Sequence, residues 1–257
     1  FMGFLGFWTY LVYDMIFPFV FFVFFGFFGF FYEGKMSKKI LIIAAHPDDE
    51  LLGCGATIAL HAEAGDEVKS IILCEGETMR AQNTISKLNA TKRAAEILGI
   101  RESVCIDLPD QHLDTLAIVD IISPIEKIVQ EYKPNIIYSH FGGDINKDHQ
   151  LVFEASLVAL RPKNFFVEAI YSFYIVGSTE WNYPRDFRPD TWVGFDSHIM
   201  ERKLLAFSCY ESELCEYPNP RSLVGLENLA KYTGNQCCME YAEAFMTIRR
   251  TVRGNSL

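Results

Sequence analysis

Residues 40–55 read ILIIAAHPDDELLGCG, and this stretch decides the fold. Its first six residues are apolar without a polar/apolar alternation, the pattern of a strand buried on both faces rather than one with a wet side. His46, Pro47, Asp48, Asp49 and Glu50 follow at once, and a helical segment carrying Gly53 and Gly55 begins directly behind them. Working outward, residues 68–74, 104–108 and 135–140 repeat the buried-strand pattern, and 169–176 offers a fifth run. Between them the spacing predicts helices over 50–64, closed by Gly65, over a stretch ending at Leu98 before Gly99, and over 116–132 with Pro124 as a possible break. Strand and helix in alternation imply an α/β domain with a mostly parallel sheet flanked by helices. Residues 178–192 read as irregular and aromatic, and helical patterns return over 197–209 and 223–249. No repeat or linker divides residues 36–257, so they are expected to form one domain.

Composition removes several functions. The 257 residues carry 23 Lys and Arg against 33 Asp and Glu, a net charge of -10, which leaves no basic footprint for nucleic acid. The seven cysteines include no CxxC pair, only the adjacent Cys237 and Cys238, so neither a disulfide framework nor a zinc finger is indicated and a reducing cytoplasmic setting is expected. The opening differs from the rest: 13 of the 22 Phe lie between Phe1 and Phe31. Residues 15–32 are an apolar run just long enough to span a bilayer as a helix, interrupted by Pro18, Gly26 and Gly29, and followed by Lys35, Lys38 and Lys39. Residues 1–35 read either as an anchor that tethers the domain to the cytoplasmic face of a membrane or as a non-native extension ahead of Met36.

In a parallel sheet, ligands gather beyond the carboxyl ends of the strands. One imidazole and three carboxylates within residues 46–50 are electrostatically costly unless a cation or hydrogen bonds compensate them. A helix N-terminus explains one acid as a cap, Asp49 or Glu50, but not the set. The fourth strand ends in the same way, with His140, Asp144, Asn146, Asp148 and His149 ahead of a helical run. Asp144, Asn146 and Asp148 mimic the start of a calcium loop, but His149 stands where its Gly belongs and the bidentate Glu is absent. His46, Asp49 and His149 together make a three-ligand set that leaves a position for water, the pattern of catalytic zinc.

An AHPDDE hexapeptide behind an ILII strand, with a later GDxNxDH at residues 143–149, resembles the LmbE/PIG-L family of zinc-dependent N-acetylglucosaminyl de-N-acetylases. The resemblance continues through Thr179-Glu180-Trp181, the segment 203–210, Arg221-Ser222 and residues 241–245, and spans residues 37–250. It implies a Rossmann-like fold, one Zn2+ per chain held by His46, Asp49 and His149, and an N-acetylated amino sugar as substrate. Asp48 is then placed to take a proton from water and pass it to the leaving amine. For the oxyanion donor the choice lies between His140 and Asn146; a better-known branch of the family has His where this chain has Asn146. Asp148 reads as a group that orients a ligand ring. Asp110 occupies a position that the family implies for sugar hydroxyls, with Arg80 a weaker candidate and an ordinary polar loop the alternative for both. His61, His112 and His198 read as solvated or capping, and Trp181, Tyr183, Phe187 and Trp192 as a sugar-stacking rim or as core.

Three other readings compete. A metallophosphoesterase also builds Asp- and His-rich strand ends, but needs further ligands. A catalytically silent sugar-binding module has no use for Asp48. A dinucleotide-binding domain requires GxGxxG after the first strand, and Gly53 and Gly55 lie inside the helix instead. Association into homo-oligomers is left open.

Overall fold

The structure is a computed structural model that describes residues 37–74, 84–163, 166–184, 186–252 and 254. The Phe-rich segment 1–35, with its apolar run 15–32, and Arg80 lie outside the described residues. The expected first strand forms as β1 (Lys39–Ala44), and Ile40, Leu41, Ile42 and Ile43 are completely buried. Burial of each such side chain contributes about 1.5–3 kcal/mol, so this strand anchors the sheet. Ile40 and Ile42 face one core and Leu41 and Ile43 the other, which is why the run shows no alternation.

The chain continues as α1 (Asp49–Glu63), β2 (Glu67–Cys74), α2 (Thr84–Leu98), β3 (Glu102–Leu108), α3 (Ile118–Tyr132), β4 (Ile136–Ser139), α4 (Lys147–Ala159) and β5 (Ala169–Phe173). It ends with β6 (Thr191–Phe195), α5 (Ser197–Phe207), α6 (Leu223–Asn235) and β7 (Tyr241–Arg250). The sheet runs β3-β2-β1-β4-β5-β7-β6, parallel from β3 to β5 and antiparallel where β7 joins β5 and β6. This is the Rossmann-like, mostly parallel α/β sheet flanked by helices. One core packs α1, α2, α5 and α6 against the sheet, and the opposite core packs α3 and α4. Because β1 lies between β2 and β4, the connections leaving β1 and β4 diverge to opposite faces and open a crevice at their carboxyl ends.

The helix over 116–132 passes through Pro124 without ending, since burial of Ile121, Ile125, Ile128 and Val129 outweighs one lost ladder bond. The helical pattern over 223–249 is half right. Its second part is β7, a strand whose Ala and Glu content imitates a helix. The helix ends at Asn235, and Met239 N–H returns to the Gly234 carbonyl at 3.0 Å. A Cβ at Gly234 would stand 2.6 Å from the Met239 carbonyl oxygen, so only glycine permits this sharp exit. Residues 178–192 contain a 3-10 turn (Thr179–Trp181) and lead into β6. Among the described residues no helix is long and apolar enough to cross a membrane.

Candidate active site

The turn after β1 sends three consecutive acids in three directions. Asp48 precedes α1 with φ 104, a left-handed conformation that Asp and Asn tolerate better than other side chains, and it makes no side-chain cap. Its Oδ2 lies 3.3 Å from Arg221 Nη1, and Arg221 also approaches Glu213 at 3.4 Å. Asp49 turns toward histidines: its Oδ2 accepts the His46 backbone N–H at 2.9 Å and lies 3.2 Å from His46 Nδ1 and 3.2 Å from His149 Nε2. Glu50 points into the core and accepts from the Tyr210 hydroxyl at 2.9 Å and the Asp48 N–H at 3.1 Å. Capping therefore does not explain Asp49, and accounts for only one oxygen of Glu50, the other being held by Tyr210.

The second contribution comes from the end of β4. Asn146 caps α4, its side chain accepting from Asp148 N at 2.9 Å, and so fixes where the first turn presents Asp148 and His149. Asp144 accepts from Asn146 N at 2.8 Å and Thr179 Oγ1 at 2.6 Å, and its Oδ1 faces His149 Nδ1 at 3.2 Å. That contact leaves His149 Nε2 directed at Asp49. His140 is fully buried behind the cluster, with ring centroids 4.0 Å from His149, and its Nε2 accepts Ala45 N–H at 2.8 Å.

The third contribution follows β3. Asp148 accepts the backbone N–H groups of Gln111 at 2.8 Å and Leu113 at 3.2 Å, and lies 3.1 Å from His46 Nε2. Asp110 Oδ1 stands 3.1 Å from the same nitrogen. Two carboxylates thus hold the far side of the His46 ring, so Nδ1 is the nitrogen left facing Asp49.

These residues fit a divalent cation. His46, Asp49 and His149 offer ligand atoms that all lie within 4.8 Å of one another. Both ring nitrogens of His149 are buried without a well-formed hydrogen bond, each 3.2 Å from a carboxylate oxygen, and a cation between Nε2 and Asp49 would satisfy that side of the ring. Asp48, Asp49, Glu50, Asp110, Asp144 and Asp148 are all buried, an excess of negative charge around one arginine and three imidazoles. A second grouping, His46, Cys74 and Asp148, shares His46 with the first. Asp148 there is already engaged by two backbone donors, so the arrangement suits one ion rather than two.

Electrostatics follow from this burial. Burial pulls the His149 imidazole down, but Asp49 and Asp144 outweigh it and hold it at about 9. Burial raises the Asp48 carboxyl well above the usual range against the pull of Arg221, which makes it a better proton acceptor than an exposed aspartate. Burial also pushes Glu50 up to about 7, and together with the neighbouring His149 it holds His140 well below the usual imidazole range.

Known proteins share this chain's pattern. Residues 41–160 match the family model PIG-L, described as GlcNAc-PI de-N-acetylase. The uncharacterized deacetylase YaiS of Escherichia coli K12 is 32% identical over 129 residues, covering 48% of this chain and 69% of that protein. The chain belongs to the PIG-L (LmbE-like) family. A second PIG-L relative is the diacetylchitobiose deacetylase of Thermococcus kodakarensis, 27% identical over 225 residues that cover 80% of this chain and 81% of that one. The fold matches that of the conserved protein TT1542 from Thermus thermophilus with a TM-score of 0.70 at 21% identity, over 84% of this chain and 97% of that one.

Within this PIG-L domain the structure gathers His46, Asp48, Asp49, Asp110, Asp148 and His149 at the carboxyl rim, with Asn146 at the same edge and His140 beneath it. Arg80 is outside the described residues. His61 is no surface group: it bridges Asp66 at 2.8 Å and the Tyr138 hydroxyl at 3.0 Å, away from this cluster. His198 is exposed at the start of α5. Of the aromatic rim candidates, Trp181 and Tyr183 are exposed while Phe187 packs on Phe141 and Tyr174. Sequence reasoning gave no role to Asp144, set aside as a failed calcium loop, to Gln111, or to Arg221. Gln111 bears a left-handed φ of 57 and places its amide 3.2 Å from His46 Nε2. The signal for Asp144 was present: an acid five residues before a candidate ligand histidine, after a strand end, is placed to orient its ring.

Proposed function

We propose that this chain is a metal-dependent amidase that removes the acetyl group from an N-acetylated amino sugar. The reading rests on one observation: a convergent His46, Asp49 and His149 set lies beside a separate buried carboxylate, Asp48, that is not one of the set and is held by Arg221. A site that only bound sugar would have no need of that second acid. Relatives of the family bear on the substrate, since one is named for diacetylchitobiose, an N-acetylated disaccharide.

His46, Asp49 and His149 would hold one Zn2+, which when bound supplies Lewis acidity toward water and the acetamide carbonyl. Asp144 and Asp148 fix the two imidazole rings from behind, leaving His149 Nε2 and His46 Nδ1 as donors. Asp48 accepts the proton of the attacking water and delivers it to the departing amine nitrogen. Arg221 holds this carboxylate in place and partly offsets the burial that raises its proton affinity. For the developing oxyanion, Asn146 is favoured over His140: it is half-buried at the N-terminus of α4, where the helix dipole adds positive potential. His140, fully buried with Nε2 engaged by Ala45, instead forms the floor against which His149 stacks. Asp110 remains the candidate for a sugar hydroxyl contact, with one oxygen near His46 and the carboxylate at the rim.

The test is acetate release from N-acetylglucosamine and its conjugates, run beside phosphate release from phosphomonoesters, each with and without a chelator. Chelator-sensitive acetate release supports the reading. Phosphate release without acetate release would replace it with the metallophosphoesterase.

A further inference from the structure

Helix α1, which begins with the candidate ligand Asp49, is broken. Cys54 has φ -150 and ψ 27, far from helical values, in the middle of the fifteen-residue segment. In an unbroken helix the Leu52 carbonyl would accept the Ala56 N–H, and the Gly53 carbonyl the Thr57 N–H. Here both of these N–H groups donate to a side chain from β7. Ala56 N–H donates to Glu243 Oε1 at 2.9 Å, and Thr57 donates to Glu243 Oε2 from its N–H at 2.8 Å and its hydroxyl at 2.7 Å. The Leu52 carbonyl accepts from Lys203 Nζ at 3.1 Å, and Lys203 Nζ meets Glu243 Oε1 at 2.6 Å. Lys203, Thr57 and Glu243 are all buried. An ion pair from α5 and β7 thus occupies the missing rung: carbonyl to ammonium, ammonium to carboxylate, carboxylate to amide.

We infer that Lys203 and Glu243 are positioning residues that set Asp48 and Asp49, by splicing the broken helix behind them. The inference rests on the reading of Asp48 and Asp49 given under Proposed function. Residues 49–53 amount to little more than one turn, too short to hold its own conformation. That turn has Glu50 fixed by Tyr210 at its start and the splice at its end. It cannot slide toward the sheet either, because a Cβ at Gly53 would already lie 2.4 Å from the Phe173 ring. A buried pair with both carboxylate oxygens and two of the three ammonium protons engaged is costly to assemble and strongly directional, which suits a device that fixes geometry better than one that adds stability. Lys203 and Glu243 also line a cavity of about 240 Å³ together with Leu52, Gly53, Tyr174 and Thr233, so a small solute can reach the splice.

The test uses the full chain carrying Glu243→Gln or Lys203→Ala. Three readouts are taken: amide exchange by mass spectrometry over residues 46–60, zinc affinity of the metal-free protein by calorimetry, and kcat and KM for acetate release. In Glu243→Gln, exchange over 49–57 is expected to rise at least tenfold while β4 keeps its wild-type protection. Zinc affinity and kcat should each fall at least tenfold, with KM within twofold. Lys203→Ala should behave alike, and n-propylammonium should restore part of its zinc affinity and protection through the adjoining cavity, which a general loss of stability would not allow. If Glu243→Gln does not fold, the Lys203→Ala readouts decide. A folded variant with wild-type exchange over 49–57, or with zinc affinity and kcat within twofold of wild type, overturns the inference. Should the wild type bind no zinc and release no acetate, the proposed function fails, and exchange over 49–57 still decides whether the pair holds the turn.

Discussion

Replacing Asp48 by Asn removes the proposed proton carrier while disturbing little else. The left-handed φ of 104 is one that Asn adopts about as readily as Asp, whereas Ala there would add strain of about 1–2 kcal/mol and blur the result. Arg221 loses one partner but keeps Glu213 at 3.4 Å and is about a quarter exposed, so its charge is not stranded. Burial already disfavours the charge on Asp48, so a neutral amide there should cost the fold no more than one hydrogen bond, about 1 kcal/mol. Loss of a general acid–base group lowers kcat by about 10²–10⁴-fold, equivalent to about 2.7–5.4 kcal/mol of barrier at 1.36 kcal/mol per decade. His46, Asp49 and His149 are untouched, so zinc binding should survive. The assay is acetate release at saturating zinc and substrate, with a urea melt on the same preparation. Retention of more than a tenth of wild-type kcat by a folded, zinc-loaded Asp48→Asn protein would refute the assignment.

Further outcomes follow from the same geometry. Asp148→Asn weakens the hold on His46 Nε2 and should lower zinc affinity by about 10–100-fold, measured by competition with a chromogenic chelator. In the metal-free protein His149 carries a proton up to about pH 9, and a ligand imidazole must be neutral. Zinc uptake at pH 7 should therefore release protons and tighten as pH rises toward 9, seen by calorimetry in buffers of different ionisation enthalpy; a pH-independent affinity would count against it. The same raised value means that the stability His149 adds to the metal-free fold is present below about pH 6.5 and fades as pH rises through about 9, which urea midpoints across that window will show. Gly53→Ala drives a methyl to within 2.4 Å of the Phe173 ring and should destabilise the fold by about 1–3 kcal/mol, read from the urea midpoint.

Much of this was legible in the chain, and the residues show why. The strand of residues 40–45 and the helix after it announced themselves because β1 is buried on both faces and only a short turn, residues 45–48, separates it from α1. His46, Asp49 and His149 were legible because they sit at strand ends, where topology forces convergence. Residues 241–250 misled because Glu243 is spent inside on Ala56, Thr57 and Lys203, contacts made across more than 180 positions of sequence to α1 and 40 to α5. Local pattern cannot register such a partner. The difference in burial between His140 and Asn146 was equally closed to sequence: His140 is sealed with its Nε2 taken by the Ala45 N–H, whereas Asn146 is half-buried at the start of α4.

The most direct check is a titration of metal-free protein with zinc while acetate release from an N-acetylated amino sugar is followed. Activity should start near zero, rise in proportion to added zinc and break at one equivalent per chain. Full activity before any zinc is added, or a rise that passes one equivalent without a break, would contradict a single cation held by His46, Asp49 and His149.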